Sequence, residues 1–149
     1  MKLKKMKNIK FLYITFISII LFANSSNAQN FFDEAKKKYE EKNYEESKFL
    51  FQRNIVFNPK DAKSYLYLAK IFENEENEGE QIKNINTTLL LEPNNEEAML
   101  ILIKYELKKS NYSKVKELKE NFSMICQKLC KEINTIEKSL SDIEPKNGS

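Results

Sequence analysis

The chain has 149 residues, enough for one domain, with 25 Lys and Arg against 22 Asp and Glu. It holds no His, which removes the commonest metal ligand, the usual general base and every His-dependent triad. Only two Gly and three Pro sit in a chain rich in Lys, Glu, Asn, Ile and Leu. Such residues lose little on entering a helix, no stretch alternates as a strand would, and the expected class is all-α.

The opening "MKLKKMKNIK" carries Lys2, Lys4, Lys5, Lys7 and Lys10 and no acid. An apolar run, "FLYITFISIILFA", follows over residues 11–23, and then "NSSNA" puts Ser26 and Ala28 two apart. A basic segment, a short apolar segment and a small-x-small site describe a secretory signal peptide, cleaved after residue 28. The 13-residue run is shorter than the roughly 20 residues needed to span a bilayer, although an uncleaved anchor is the alternative. Without this segment 20 basic residues face 22 acidic ones. No basic excess is left to hold a phosphate backbone, which argues against nucleic acid. The expected localisation is export: the periplasm in a Gram-negative cell, secretion otherwise.

From Gln29 the chain falls into rows of 34 residues, with Pro59 and Pro93 one row apart. The second row, 62–95, is the clearest. Tyr65, Leu68, Ala69 and Phe72 lie three and four apart, as on one side of a helix, and Ile82, Ile85, Leu89 and Leu90 do the same in its second half. The polar "ENEENEGE" separates the halves, with Gly79 as the interruption, and Pro93 closes the second helix. The first row, 29–61, brings Phe31, Ala35, Tyr44, Ser47, Phe51 and Pro59 to matching places. Glu34 and Lys38 do not fit it, and Phe32 and Tyr39 next to them are expected to pack instead. The third row, 96–123, brings Met99, Leu102, Ile103, Tyr112, Val115 and Phe122, but Glu106 and Lys119 break the pattern and no Pro closes it.

Beyond Phe122 the apolar residues Ile125, Leu129, Ile133, Ile136, Leu140 and Ile143 step by threes and fours. They predict an amphipathic cap helix over about 127–143, after a turn near Ser123–Gln127, with 144–149 as a flexible tail. The same stripe permits a continuous helix carrying a dimer seam. Cys126 and Cys130, the only cysteines, are four apart. A structural disulfide, free buried thiols and intermolecular chemistry are all open, and the spacing is not that of a thiol oxidoreductase. The acidic run Glu73, Glu75, Glu76, Glu78 and Glu80 has no calcium-loop spacing and reads as a solvated turn.

The pattern Tyr65, Leu68, Ala69, Phe72 and Pro93 resembles the tetratricopeptide repeat family. The departures are Gln81, where a small residue is usual, and Ile85, where an aromatic is usual. The resemblance implies an α-solenoid of three helix-turn-helix units plus a C-terminal capping helix. Its concave groove, lined by the first helix of each unit, would hold a partner polypeptide. The implied groove residues are Phe32, Lys36, Tyr39, Tyr67, Lys70, Ile101, Lys104 and Lys108, with Leu66 and Leu100 beside them. Lys36, Lys70 and Lys104 recur every 34 residues, and a ladder of ammonium groups among aromatic rings suits an acidic peptide. Some family members grip a terminal carboxylate with Lys, Asn and Arg, but Phe32, Tyr67, Glu97 and Ile101 stand where such residues are expected. The reading is an exported interaction scaffold, not an enzyme, needing no cofactor and no metal. The competing reading is a homo-oligomer that self-associates through the C-terminal helix.

Overall fold

The computed structural model describes residues 27–142. The basic and apolar segments of the expected signal peptide and the expected tail lie outside them. Among the described residues there are seven α-helices and no strand: α1 (Asn27–Glu40), α2 (Tyr44–Phe57), α3 (Ala62–Asn74), α4 (Glu78–Leu91), α5 (Glu96–Lys108), α6 (Tyr112–Ile125) and α7 (Glu132–Ser141). The chain divides into two compact units, one ending at Asn58 and the other beginning at Pro59. No helix of the described residues is long and apolar enough to cross a membrane.

The helix boundaries carry the repeat. α2, α4 and α6 begin at 44, 78 and 112 and end at 57, 91 and 125, a step of 34 at both ends. The same turn precedes each of them. Lys42, Glu76 and Ser110 adopt left-handed backbone angles, with φ of 61°, 56° and 58°. The next residue, Asn43, Asn77 or Asn111, donates its N–H to the carbonyl of Lys38, Phe72 or Glu106 at 2.9 Å in every case. That six-to-one bond satisfies a carbonyl at the end of the first helix. Two of these Asn residues then cap the second helix: the side-chain oxygens of Asn43 and Asn77 accept the N–H of Glu46 and Glu80, at 3.4 and 3.2 Å. The interruption is therefore Glu76 and not Gly79, which lies in the first turn of α4.

The prolines end α2 and α4 through the residues before them. Asn58 (φ −133°, ψ 77°) and Glu92 (φ −132°, ψ 82°) share one non-helical conformation, imposed by the following ring. α6 lacks that proline. It stops at Ile125, where Cys126 is extended and bonded to Cys130, with 5.2 Å between their Cα atoms. The bonded turn delays the cap helix, which begins at Glu132 and not near residue 127.

In the first unit Ala35, Leu50 and Phe51 are buried. Phe32 packs edge-on against Phe51 and Tyr39 tilts on Tyr44, with centroids 5.7 and 5.5 Å apart. Phe31 stacks on Phe57 at 5.6 Å beneath the Arg53 guanidinium. The buried Ser47 donates to the Ala35 carbonyl at 2.8 Å, drawing the two helices together.

In the second unit Ala69, Ile85, Ala98, Ile103, Val115 and Phe122 are the most enclosed members of one core that runs from α3 to α7. Leu90, expected on the inner side of α4, is 81% exposed. The buried side of α4 is Gln81, Asn84, Ile85 and Thr88. Asn84 and Thr88 can sit there because helix carbonyls take their protons: Asn84 donates to Glu80 at 2.8 Å and Thr88 to Asn84 at 2.9 Å. Ile136 and Leu140 of α7 are buried in this core, with Leu129 and Ile133 packed against it. Five residues of the C-terminal stripe, from Ile125 to Leu140, thus pack on this core, and the sixth, Ile143, lies outside the described residues. Lys119, which breaks the apolar pattern of α6, pairs with Glu137 of α7 at 3.0 Å.

Candidate functional site

The expected groove residues fall into two groups. In the first unit Phe32 and Tyr39 are half-buried and used in packing α1 on α2, while Lys36 pairs with Glu40 one turn on, at 3.8 Å. In the second unit Leu66 and Leu100 are core residues, each 7% exposed. Their neighbours face outward in part: Tyr67 and Ile101 are half-buried and Lys104 is exposed.

The lysine ladder is not a row of free cations. Lys70 reaches Glu97 at 2.6 Å and lies 4.9 Å from the centre of the Tyr67 ring. Lys108 pairs with Glu78 at 2.5 Å, and Lys109 reaches the other oxygen of that carboxylate at 2.6 Å. Lys104 makes no ion pair among the described residues. The hydrogen bonds from Lys108 and Lys109 hold the Glu78 carboxyl down at about 2, and the same bond raises Lys109 above the usual lysine value.

Clefts of about 520 and 510 Å³ on the second unit are bordered by the outward side of α5. Ile101 and Lys104 line both. The first cleft continues over Tyr105 and Lys108 of α5 to Glu73, Glu76, Glu78 and Gln81. Three members of the acidic run therefore form a wall, which their composition alone marked only as wet. The second cleft takes in Glu96, Glu97, Leu100, Lys128 and Leu129. Here the bonded turn after α6 is held against α5: the Glu96 carboxylate accepts the backbone N–H groups of Leu129 at 2.8 Å and Lys128 at 3.0 Å. These bonds, that from Leu129 foremost, keep the Glu96 carboxyl below the usual range. Repeat spacing points to the α5 residues. It does not point to Lys128 or Leu129, which reach the cleft only because the turn folds back.

Among the described residues no group of three or more His, Cys, Asp or Glu side chains is placed to hold a metal ion. The arrangement is a surface of half-buried apolar side chains, Ile101 and Tyr105 among them, between unlike charges.

No family model matches the chain, and no curated protein matches it. Solved structures do. The TPR2B domain of yeast Sti1, in a complex with pHsp70, aligns with a TM-score of 0.70 at 17% identity, covering 79% of this chain and 98% of its own. The Yersinia enterocolitica type III secretion chaperone SycD, in complex with a peptide of the translocator YopD, gives 0.70 at 16% identity over 84% and 98%. The first TPR of Spaghetti (RPAP3), bound to the HSP90 peptide SRMEEVD, gives 0.66 at 12% over 80% and 99%. At such identities the likeness is one of backbone, and together with the 34-residue step of the helices it establishes that this chain has the fold of a tetratricopeptide-repeat domain.

Proposed function

We propose that the chain is an exported scaffold that holds a segment of a partner protein against the outward side of α5 and the clefts beside it. The observation that carries this reading is Lys104 beside Ile101: a cation without a carboxylate partner among the described residues, next to half-buried apolar surface, shared by two clefts. A preformed surface of this kind gains affinity from desolvating an apolar anchor, while charge sets the register. Support also comes from structural neighbours that hold peptides, SycD and RPAP3 among them. A uniformly acidic partner would have to compete with Glu40, Glu97 and Glu78 for Lys36, Lys70 and Lys108, the other lysines of the expected groove.

Export rests on the N-terminal sequence. The Cys126–Cys130 bond supports it, since disulfides persist in oxidising compartments. Fractionation of cells producing the chain tests it: the expected product is shortened by about 28 residues and lies outside the cytoplasm, and a full-length cytoplasmic product would overturn export.

Binding is tested by placing a photoreactive phenylalanine analogue at Ile101 and, as a control, at the exposed Asn134 of α7. Irradiation in the native compartment should give one discrete adduct from position 101 and none from 134. Equal labelling from both, or none from 101, would overturn the reading.

A further inference from the structure

The cleft between Glu73 and Lys104 has walls of opposite charge. Glu73 and Glu76 line it from the end of α3 and the turn that follows, and neither pairs with a cation among the described residues. Lys104 lines it from α5, equally without a partner, and Ile101 and Tyr105 lie on the same helix. Lys108 is engaged there by Glu78, whose other oxygen takes Lys109.

Gln81 is the residue that its own fold leaves unexplained. It occupies a place where the repeat pattern takes a small side chain, lines the cleft, and is 7% exposed. Asn84 and Thr88 on the same side of α4 are hydrogen-bonded to helix carbonyls. The Gln81 carboxamide makes no hydrogen bond among the described residues. None of the unpartnered polar atoms of buried side chains is sealed from solvent, so that amide must reach water through the cleft. Two donors and an acceptor, unspent within the described chain, are therefore open to a ligand that enters the cleft.

We infer that this cleft takes an extended peptide segment of mixed charge: its backbone amide bonds to Gln81, a basic side chain lies at Glu73 and Glu76, and an acidic one lies at Lys104. The inference rests on the scaffold reading and narrows it, because the partner is then bipolar and not uniformly acidic. A carboxamide matches a peptide group donor to acceptor, so the pair can form two bonds at once. Continuity favours a chain over a small molecule. Ile101 and Lys104 border both clefts, and an extended segment can leave one for the other, whereas a small ligand would fill one alone.

The probe is a phage-displayed library of random dodecapeptides, panned against the chain purified after export. The enriched sequences should carry Lys or Arg and Asp or Glu within a few residues of each other. Lys104→Glu, an exposed change, should replace the enriched acid by a base. Gln81→Ala, which restores the small residue of the pattern, should weaken an enriched peptide about ten-fold without lowering the melting temperature, as expected for losing hydrogen bonds from a desolvated site. Gln81→Met keeps the volume and deletes the amide, so it reports on the same bonds if the shorter variant melts early. Enrichment of uniformly acidic or uncharged peptides, or of the same peptides by all variants, overturns this inference and leaves the scaffold reading standing. Enrichment of nothing overturns both.

Discussion

The Glu96 carboxylate and the Leu129 backbone N–H meet at 2.8 Å, joining the first turn of α5 to the turn that follows α6. Residues 33 apart are thereby held together at one end of the last helix pair. Glu96→Ala should lower the melting temperature and speed amide exchange at Lys128 and Leu129, while exchange in α3 and α4 stays unchanged. Uniform acceleration along the whole second unit would show that Glu96 acts through general stability and not by holding this turn.

The pH dependence follows from Glu78. Its carboxyl lies at about 2 in the folded chain against an ordinary 4.5. A depressed carboxylate contributes stability above its unfolded value and loses it as pH falls from 4.5 towards 2. Urea midpoints of the wild type and Glu78→Gln should therefore differ at pH 6 and converge at pH 2. Glu96, also depressed, adds to the slope in the same direction. Lys109 has the opposite sign: its raised value means a contribution present below 10.5 and lost as pH climbs past it. Because Lys108 and Lys109 are 71% and 47% exposed, 1 M salt should shrink all these differences.

Backbone strain at the three inner turns gives a test free of charge effects. Ser110 has φ 58° and is not glycine. Ser110→Gly should raise stability by about 0.5–1 kcal/mol, and Ser110→Val should lower it by about 1–2 kcal/mol, because a branched side chain clashes in the left-handed region. Gly79 is the converse. An added Cβ would meet nothing closer than the Asn77 side-chain oxygen at 3.9 Å. Gly79→Ala should therefore stabilise α4 by about 0.5–1 kcal/mol. Chemical denaturation checks all three variants.

The Cys126–Cys130 bond closes a small loop, and chain-entropy scaling assigns it about 2 kcal/mol. Cys130→Ser should cost no more than that. The loss should appear first as faster exchange in α7, whose buried anchors Ile136 and Leu140 follow the bonded turn. A larger loss, spread evenly over α3 to α6, would show that the bond stabilises the whole core.

The helix pairs were legible because Pro59, Pro93 and the apolar triplets repeat at one period. The turns inside each pair were not. A left-handed residue is normally announced by glycine, and here Lys42, Glu76 and Ser110 do that work unannounced, although the Asn that follows each of them repeats at the same interval. The buried side of α4 was misjudged at Leu90 because apolar character is a poor guide where Asn84 and Thr88 meet their needs from helix carbonyls. For the site, spacing brought out Ile101, Lys104 and Lys108. It could not show that Lys70 and Lys108 are already engaged by Glu97 and Glu78, since those contacts join different helices.

A chain made by copying one hairpin could in principle lengthen indefinitely, each copy nesting on the last. α7 covers the last pair instead, because Ile136 and Leu140 join the core that includes Val115 and Phe122 of α6. A hairpin added directly after α6 would have to displace Ile136 and Leu140 from that core.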